Sequence, residues 1–312
     1  MKLTIHNPHP SHHPSQARPL LKIVKEDVPR VSFSQVMTFL RCRLKWKYGY
    51  VMGLVPNETP KAMQMGSYLH EKLDIYYQFR RQTDDIEELW RLMEPLLLED
   101  LDLDGGSNGE DIARTIKVMH RYVHQYSPIV DAGIEILESE MHFEVQMITP
   151  KGRAFILEGY VDLLYRLKGQ LRVRDHKTTG KPGGFRKQGE TDYDMQQPTY
   201  IGGLRIAGLP VFRGEVNEVI TYNYKDYASK PLNDLMRITP TFHSDSAIEA
   251  AMHWYGRVVD QMIDEEEYLP SLESGCKFCW YKDPCTLLQE GRDDATVLSV
   301  GFREKSNEPP SN

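Results

Sequence analysis

The sequence predicts an α/β fold, a mixed central sheet flanked by helices. Three observations carry this. Helical periodicity fills the first third of the chain. Three β-rich runs, 135–148, 154–166 and 170–177, then follow with short links, as in a meander. Last, a helix over 193–207 precedes a strand over 213–224 and a long helix over 245–267, an order that implies a parallel crossover. With 312 residues, 40% hydrophobic and 27% charged, the chain has ample apolar material for a core. Collagen-like, coiled-coil and wholly disordered classes are excluded.

Residues 1–30 are rich in His, Pro and Ser and read as a flexible arm; His6, His9, His12 and His13 are expected to be solvated. A helix is expected over 34–50, with Ser32 or Ser34 as N-cap and Phe39, Leu40 and Leu44 on its apolar side. A second helix spans 62–82. Two more, over 85–99 and 110–126, form a helical insertion at about 84–127 around a Gly-rich loop. The last residues, 291–312, end in EKSNEPPSN and read as a loose tail. No run approaches 18 apolar residues, so no membrane span is expected. The N-terminus has no apolar core of signal-peptide length, which points to the cytoplasm and to reduced thiols.

The net charge of −7 disfavours a globally basic nucleic-acid wrapper but allows a local basic face. Residues 84–111 carry eleven acids and one base, and read as a solvated face. Residues 166–187 carry eight bases and a single acid, Asp175.

That acid belongs to the most chemically suggestive motif, Gly159-Tyr160-Val161-Asp162 followed by Arg174-Asp175-His176-Lys177. Alternate residues of a strand share a face, so Asp175 and Lys177 project together and His176 points the other way. A hairpin brings Asp162 beside Asp175. Two carboxylates so placed can hold Mg²⁺ or Mn²⁺, which prefer hard oxygen ligands. A lysine there sits where a metal-bound water must be steered or deprotonated, and the basic surroundings suit a phosphodiester. Two further pairs are weak alone. Gly66 and His70 share a helix, and His70 is an additional metal-ligand candidate. Gln196 and Tyr200 are four apart on one helix face, suited to a phosphate or a base.

In this order, Gly-x3-His, Gly-x2-Asp, Asp-x-Lys and Gln-x3-Tyr resemble the PD-(D/E)xK nuclease superfamily in its RecB-like branch. The resemblance covers about residues 32–288. It implies a restriction-endonuclease-like core, with the divalent metal on His70, Asp162, Asp175 and the main-chain carbonyl of His176. It implies that Lys177 helps activate water and that Gln196 and Tyr200 engage DNA. It further implies one nuclease domain over 31–290 and a metal-dependent DNA exonuclease acting on single strands or duplex ends. Digestion would run 5′→3′ by family analogy. No G-x4-G-K-[ST] motif is present, so no helicase motor is expected. A non-cleaving DNA-end-binding module is the alternative, and RNA is a second candidate substrate. CRISPR adaptation, recombination, repair and viral genome processing are all open as pathways, the first three with a protein partner as a candidate. Nothing in the sequence specifies an oligomer.

The four cysteines form C-x2-C-x5-C at Cys276, Cys279 and Cys285, plus the remote Cys42. Four thiolates suit structural zinc or a 4Fe-4S cluster. One remote cysteine with this cluster over 275–286 resembles the iron-staple subset of RecB-like nucleases, which favours iron–sulfur over zinc. It implies that the cluster ties the first helix to the C-terminal segment. The neighbouring Arg41, Arg43, Lys45, Trp46, Lys47 and Tyr48 suit either a DNA-tracking surface or, for the aromatics, core packing.

Overall fold

The computed structural model describes residues 3–6, 28–57, 61–103, 109–271 and 274–305. In chain order the chain forms β1 (Leu3–His6), β2 (Arg30–Ser32), α1 (Phe33–Arg41), α2 (Arg43–Trp46), β3 (Leu54–Pro56), α3 (Lys61–Arg80), α4 (Ile86–Leu103), α5 (Gly109–Arg121) and α6 (Ser127–Val130). Then come β4 (Ile134–Ile148), β5 (Ala154–Leu167), β6 (Gln170–Thr179), α7 (Gln188–Asp192), α8 (Gln196–Ile206), β7 (Val211–Ile220) and β8 (Met236–Thr241). The chain closes with α9 (Asp245–Ile263), α10 (Lys282–Gln289), α11 (Ala295–Gly301) and β9 (Phe302–Glu304).

The expected mixed sheet is present, in the order β1-β4-β5-β6-β7-β8, with β2 added along part of β5. Strands β4, β5 and β6 are an antiparallel meander. The crossover through α8 makes β6 and β7 parallel. A strand lacks the side-chain spacing to bury two faces unless helices cover both. Here Phe143, Phe155 and Leu157 pack on one side with Phe39, Ile201 and Tyr255 of α1, α8 and α9. Leu163, Tyr165 and Val219 pack on the other side with Leu69, Leu89 and Val118 of α3, α4 and α5.

The second core hides a polar network. Arg174 is 2% exposed. Its guanidinium pairs with Asp131 at 2.5 Å and Glu215 at 2.6 Å, and donates to the Tyr77 hydroxyl at 2.8 Å. The Tyr76 hydroxyl donates to the other Asp131 oxygen at 3.0 Å. Arg172 is buried too. Two of the eight bases in the basic run therefore lie inside the protein, and the run is not one continuous surface.

Several expectations change. The first helix breaks at Cys42, which is extended (φ −162°, ψ 111°) and offers its sulfur to the Lys45 amide. Ser32 is the N-cap of α1, accepting from the Gln35 amide. The C-terminal residues are not loose throughout: α11 forms, and β9 pairs antiparallel with β3. Within the supposed N-terminal arm, Leu3–His6 pairs parallel with residues 143–146 of β4. The rest of the arm up to residue 27, and the tail beyond 305, lie outside the described residues. Strand β8 escaped the sequence reading because Pro240 and its short polar alternation weaken the strand signal. No helix among the described residues is long and apolar enough to cross a membrane.

Asp131→Ala leaves the buried Arg174 charge short of a partner and is expected to cost about 3–5 kcal/mol. The urea midpoint checks this, and Asp131→Asn, which keeps an acceptor for Arg174, should cost less.

Candidate active site

The site lies where β5 and β6 part. Their ladder ends at Leu163 opposite Arg174. One step further, Asp162 would face Asp175, and two buried carboxylates repel. The strands separate there, and the His176 amide donates instead to Asp162 Oδ2 at 2.6 Å. Gly159, three residues before Asp162, is required by packing. A Cβ there would lie 2.9 Å from both Phe143 and Tyr200. Gly66 lets α3 approach β6, since its Cβ would meet Thr178 Oγ1 at 3.2 Å. The approach of α3 carries His70 Nδ1 to 3.7 Å from Asp162 Oδ2.

Lys177 and Asp175 share a face as expected, with Nζ 2.8 Å from Oδ1. Gln196, at the start of α8, completes a triangle. Its amide oxygen accepts from Lys177 at 3.1 Å, and its amide nitrogen donates to Asp175 at 2.9 Å. Asp194 accepts from the Gln196 amide at 2.9 Å and pairs with Arg186 at 2.6 Å, which fixes the helix start. Tyr200 faces the core, edge-on to Phe33 and Phe143. The His176 ring lies on the opposite face of β6 from Asp175 and Lys177, as alternation requires, and meets the His70 ring edge-on with centroids 6.2 Å apart. It stacks on Tyr77 and bonds the Asn217 amide at 2.8 Å.

One residue of this site was missed in the sequence. Glu140 of β4 gathers with His70 and Asp162, their ligand atoms all within 4.8 Å of one another. Its φ of +46° is left-handed, uncommon for any residue but glycine. Such strain persists where surrounding structure over-determines it, often at functional sites. Nothing in Glu135–Glu138–Glu140 marks which acid turns inward, so spacing alone could not find it. Asp175 lies outside that group of three, turned toward Lys177 and Gln196.

The electrostatics call for a cation. Burial, then Asp175, then Glu140 hold the Asp162 carboxyl well above its usual range. Burial, followed by Asp74 and Asp175, pushes Glu140 up to about 7. Burial lowers His70, so it is a neutral imidazole with a lone pair to give. Burial also acts to lower Lys177, but Asp175 and Asp162 outweigh it and its ammonium is retained. The carboxylates are hard oxygen donors suited to Mg²⁺ or Mn²⁺, and the neutral imidazole adds a borderline nitrogen donor that Mn²⁺ accepts more readily than Mg²⁺.

The four cysteines also come together. Cys42, Cys276, Cys279 and Cys285 line one cavity of about 270 Å³ with Lys45, Tyr48 and Tyr281. All four are free thiols. Burial raises the Cys285 thiol, and the three other cysteines add to it, while the Gln289 amide lowers it. Convergence of four thiols on one cavity fits a tetrathiolate centre. Around it, Trp46 packs against Phe39 and Tyr268, and Tyr48 against Tyr281. Both are buried, so these aromatics are core residues and not a DNA surface.

An acid whose pKa rises on folding holds its proton in the folded state, so stability falls as pH climbs through that range. For Glu140 the window runs from the ordinary 4.5 to about 7, a cost of about 3 kcal/mol at most above it. Glu140→Gln is therefore expected to raise the melting temperature of metal-free protein at pH 8, but not at pH 4. Added Mn²⁺ should stabilise the wild type and have a smaller effect on the variant. Differential scanning fluorimetry reads both.

A search of curated proteins gives no match. Among solved structures, one titled "Crystal structure of SSO0001" aligns over 83% of this chain and 86% of that one, at 13% identity and a TM-score of 0.40. The family model of the PD-(D/E)XK nuclease superfamily matches residues 30–286, a span that holds both the parted strands and the cysteines. The chain belongs to the PD-(D/E)XK nuclease superfamily.

Proposed function

We propose that this protein is a metal-dependent deoxyribonuclease that digests single-stranded DNA or duplex ends as an exonuclease. The observation that carries this reading is the meeting of His70, Glu140 and Asp162 beside the Asp175–Lys177–Gln196 triangle. His70, Glu140 and Asp162 would hold a divalent cation, with Asp175 and the His176 carbonyl adjacent. That cation supplies Lewis acidity at the phosphate and charge neutralisation when bound.

The chain's own groups divide the remaining work. Lys177 keeps its proton in this arrangement, so its ammonium acts by orienting water and stabilising charge on the phosphate. Asp175 and Gln196 hold that ammonium in place from two sides. Gln196 thus serves first as a positioning residue, and a direct bond from it to DNA requires a rotamer change. Lys181 and Lys187, exposed after β6, supply phosphate-tracking charge near the site.

The cysteine cavity supports a 4Fe-4S cluster, with zinc as the alternative metal. Hydrolysis moves no electrons, so the cluster is read as structural. It would close a loop of more than two hundred residues between Cys42 and Cys276. A non-cleaving end-binding module is the competing reading, and the retained Lys177 with its carboxylates argues against it.

Anaerobically purified protein should cut end-labelled single-stranded DNA with Mn²⁺ and spare RNA of the same sequence. Lys177→Ala and Asp162→Ala should each lower the rate at least a hundredfold. DNA binding without cutting by the wild type would point instead to the end-binding module. Cys279→Ala should lose visible absorption, iron and sulfide together, and melt several degrees lower. If its metal content and melting equal the wild type's, the cluster assignment is wrong.

A further inference from the structure

The sheet face that holds Glu140 and Asp162 continues beyond the site. Alternate residues extend the row along both strands, with His142 opposite Tyr160 and then Glu144 opposite Glu158. The first pair is aromatic, its ring centroids 4.7 Å apart and tilted by 38°. Tyr160 is 49% exposed, although it lies in the middle of a long interior strand. The second pair is closed by Arg30, which bonds Glu144 at 2.8 Å and Glu158 at 3.0 Å. A guanidinium already occupies the space between these carboxylates. His142, Glu144 and Glu158 therefore form an ion-paired end to the row and not a second cation site.

Two residues along a strand span about 7 Å. The Tyr160 and Asp162 side chains thus leave the strand about one nucleotide step apart. An exposed phenol beside a phosphodiester-cutting centre has one recognition chemistry that needs no sequence, stacking on the π-face of a base. A base can reach it only after leaving its neighbours, which an unpaired strand or a frayed end allows.

We propose that Tyr160, backed by His142, is the stacking platform for the base next to the scissile phosphate, and so selects unpaired strand ends. This rests on the nuclease reading above. Binding of fluorescein-labelled single-stranded DNA is measured by anisotropy in Ca²⁺, for wild type, Tyr160→Ala and Tyr160→Phe. The same strand is also used with one abasic site moved stepwise from its end. Tyr160→Ala should weaken binding about tenfold and Tyr160→Phe should keep it. One abasic position should cost the wild type the same factor and cost Tyr160→Ala nothing further. Because the ring is exposed, the variant should melt with the wild type. Equal binding by Tyr160→Ala and wild type, in a protein that cuts single strands in Mn²⁺, overturns the platform alone. A wild type that neither binds nor cuts any DNA overturns the nuclease reading and the platform with it.

Discussion

Like-charge repulsion between buried carboxylates organises this molecule. Asp162 and Asp175 occupy facing positions on neighbouring strands, next to Glu140. Inside a protein such charges repel far more strongly than in water. The ladder gives way at that point, and the resulting gap is the site. What relieves the repulsion comes from every side: the His176 amide, the Lys177 ammonium, and protons on Glu140 and Asp162. Each of these is a weak substitute for a divalent cation. The geometry of two strands thus concentrates acidic groups at one place.

The scaffold under the site is stiff for a different reason. Arg174 is one residue before Asp175 and points to the opposite face, where Asp131, Glu215 and Tyr77 satisfy its guanidinium. Asn217 bonds His176 from the neighbouring strand, and Tyr122 and Tyr126 bond Asn217. A buried network of this kind stiffens the chain where its members are satisfied, and, among the described residues, His176 Nε2 is the atom of this set left without a hydrogen bond. The face of β6 that carries Asp175 and Lys177 is held from behind by the strand's own odd-even alternation. The same three residues, Arg174-Asp175-His176, serve the core and the site at once.

Much of this was legible in the sequence. Strand alternation placed Asp175 with Lys177 and His176 behind them. Hairpin arithmetic put Asp162 beside Asp175, while Gly66 and Gly159 entered only as motif positions and their packing role came from the structure. What stayed hidden depends on tertiary context. Glu140 is one of several acids on β4, and only its left-handed backbone turns it toward His70. The basic run looked like a surface because charge is usually solvated, yet Arg172 and Arg174 are buried by partners distant in sequence. Trp46 and Tyr48 offered two readings that composition could not separate, and burial around the cysteines decided between them. The C-terminal strand is three residues long, too short for any periodicity to show.

The pairing of β3 with β9 has a consequence of another kind. Residues 54–56 and 302–304 are joined by a ladder, while Tyr48 and Tyr281 interlock beside the cysteine cavity. The two ends of the domain therefore fasten to each other like the ends of a belt. Most domains loosen first by fraying at a terminus, which gives proteases a cheap entry. Here the C-terminal segment cannot peel away without also uncovering the first helices. Cleavage near residues 302–304 would then follow opening of this shared region more than breathing of β9 alone.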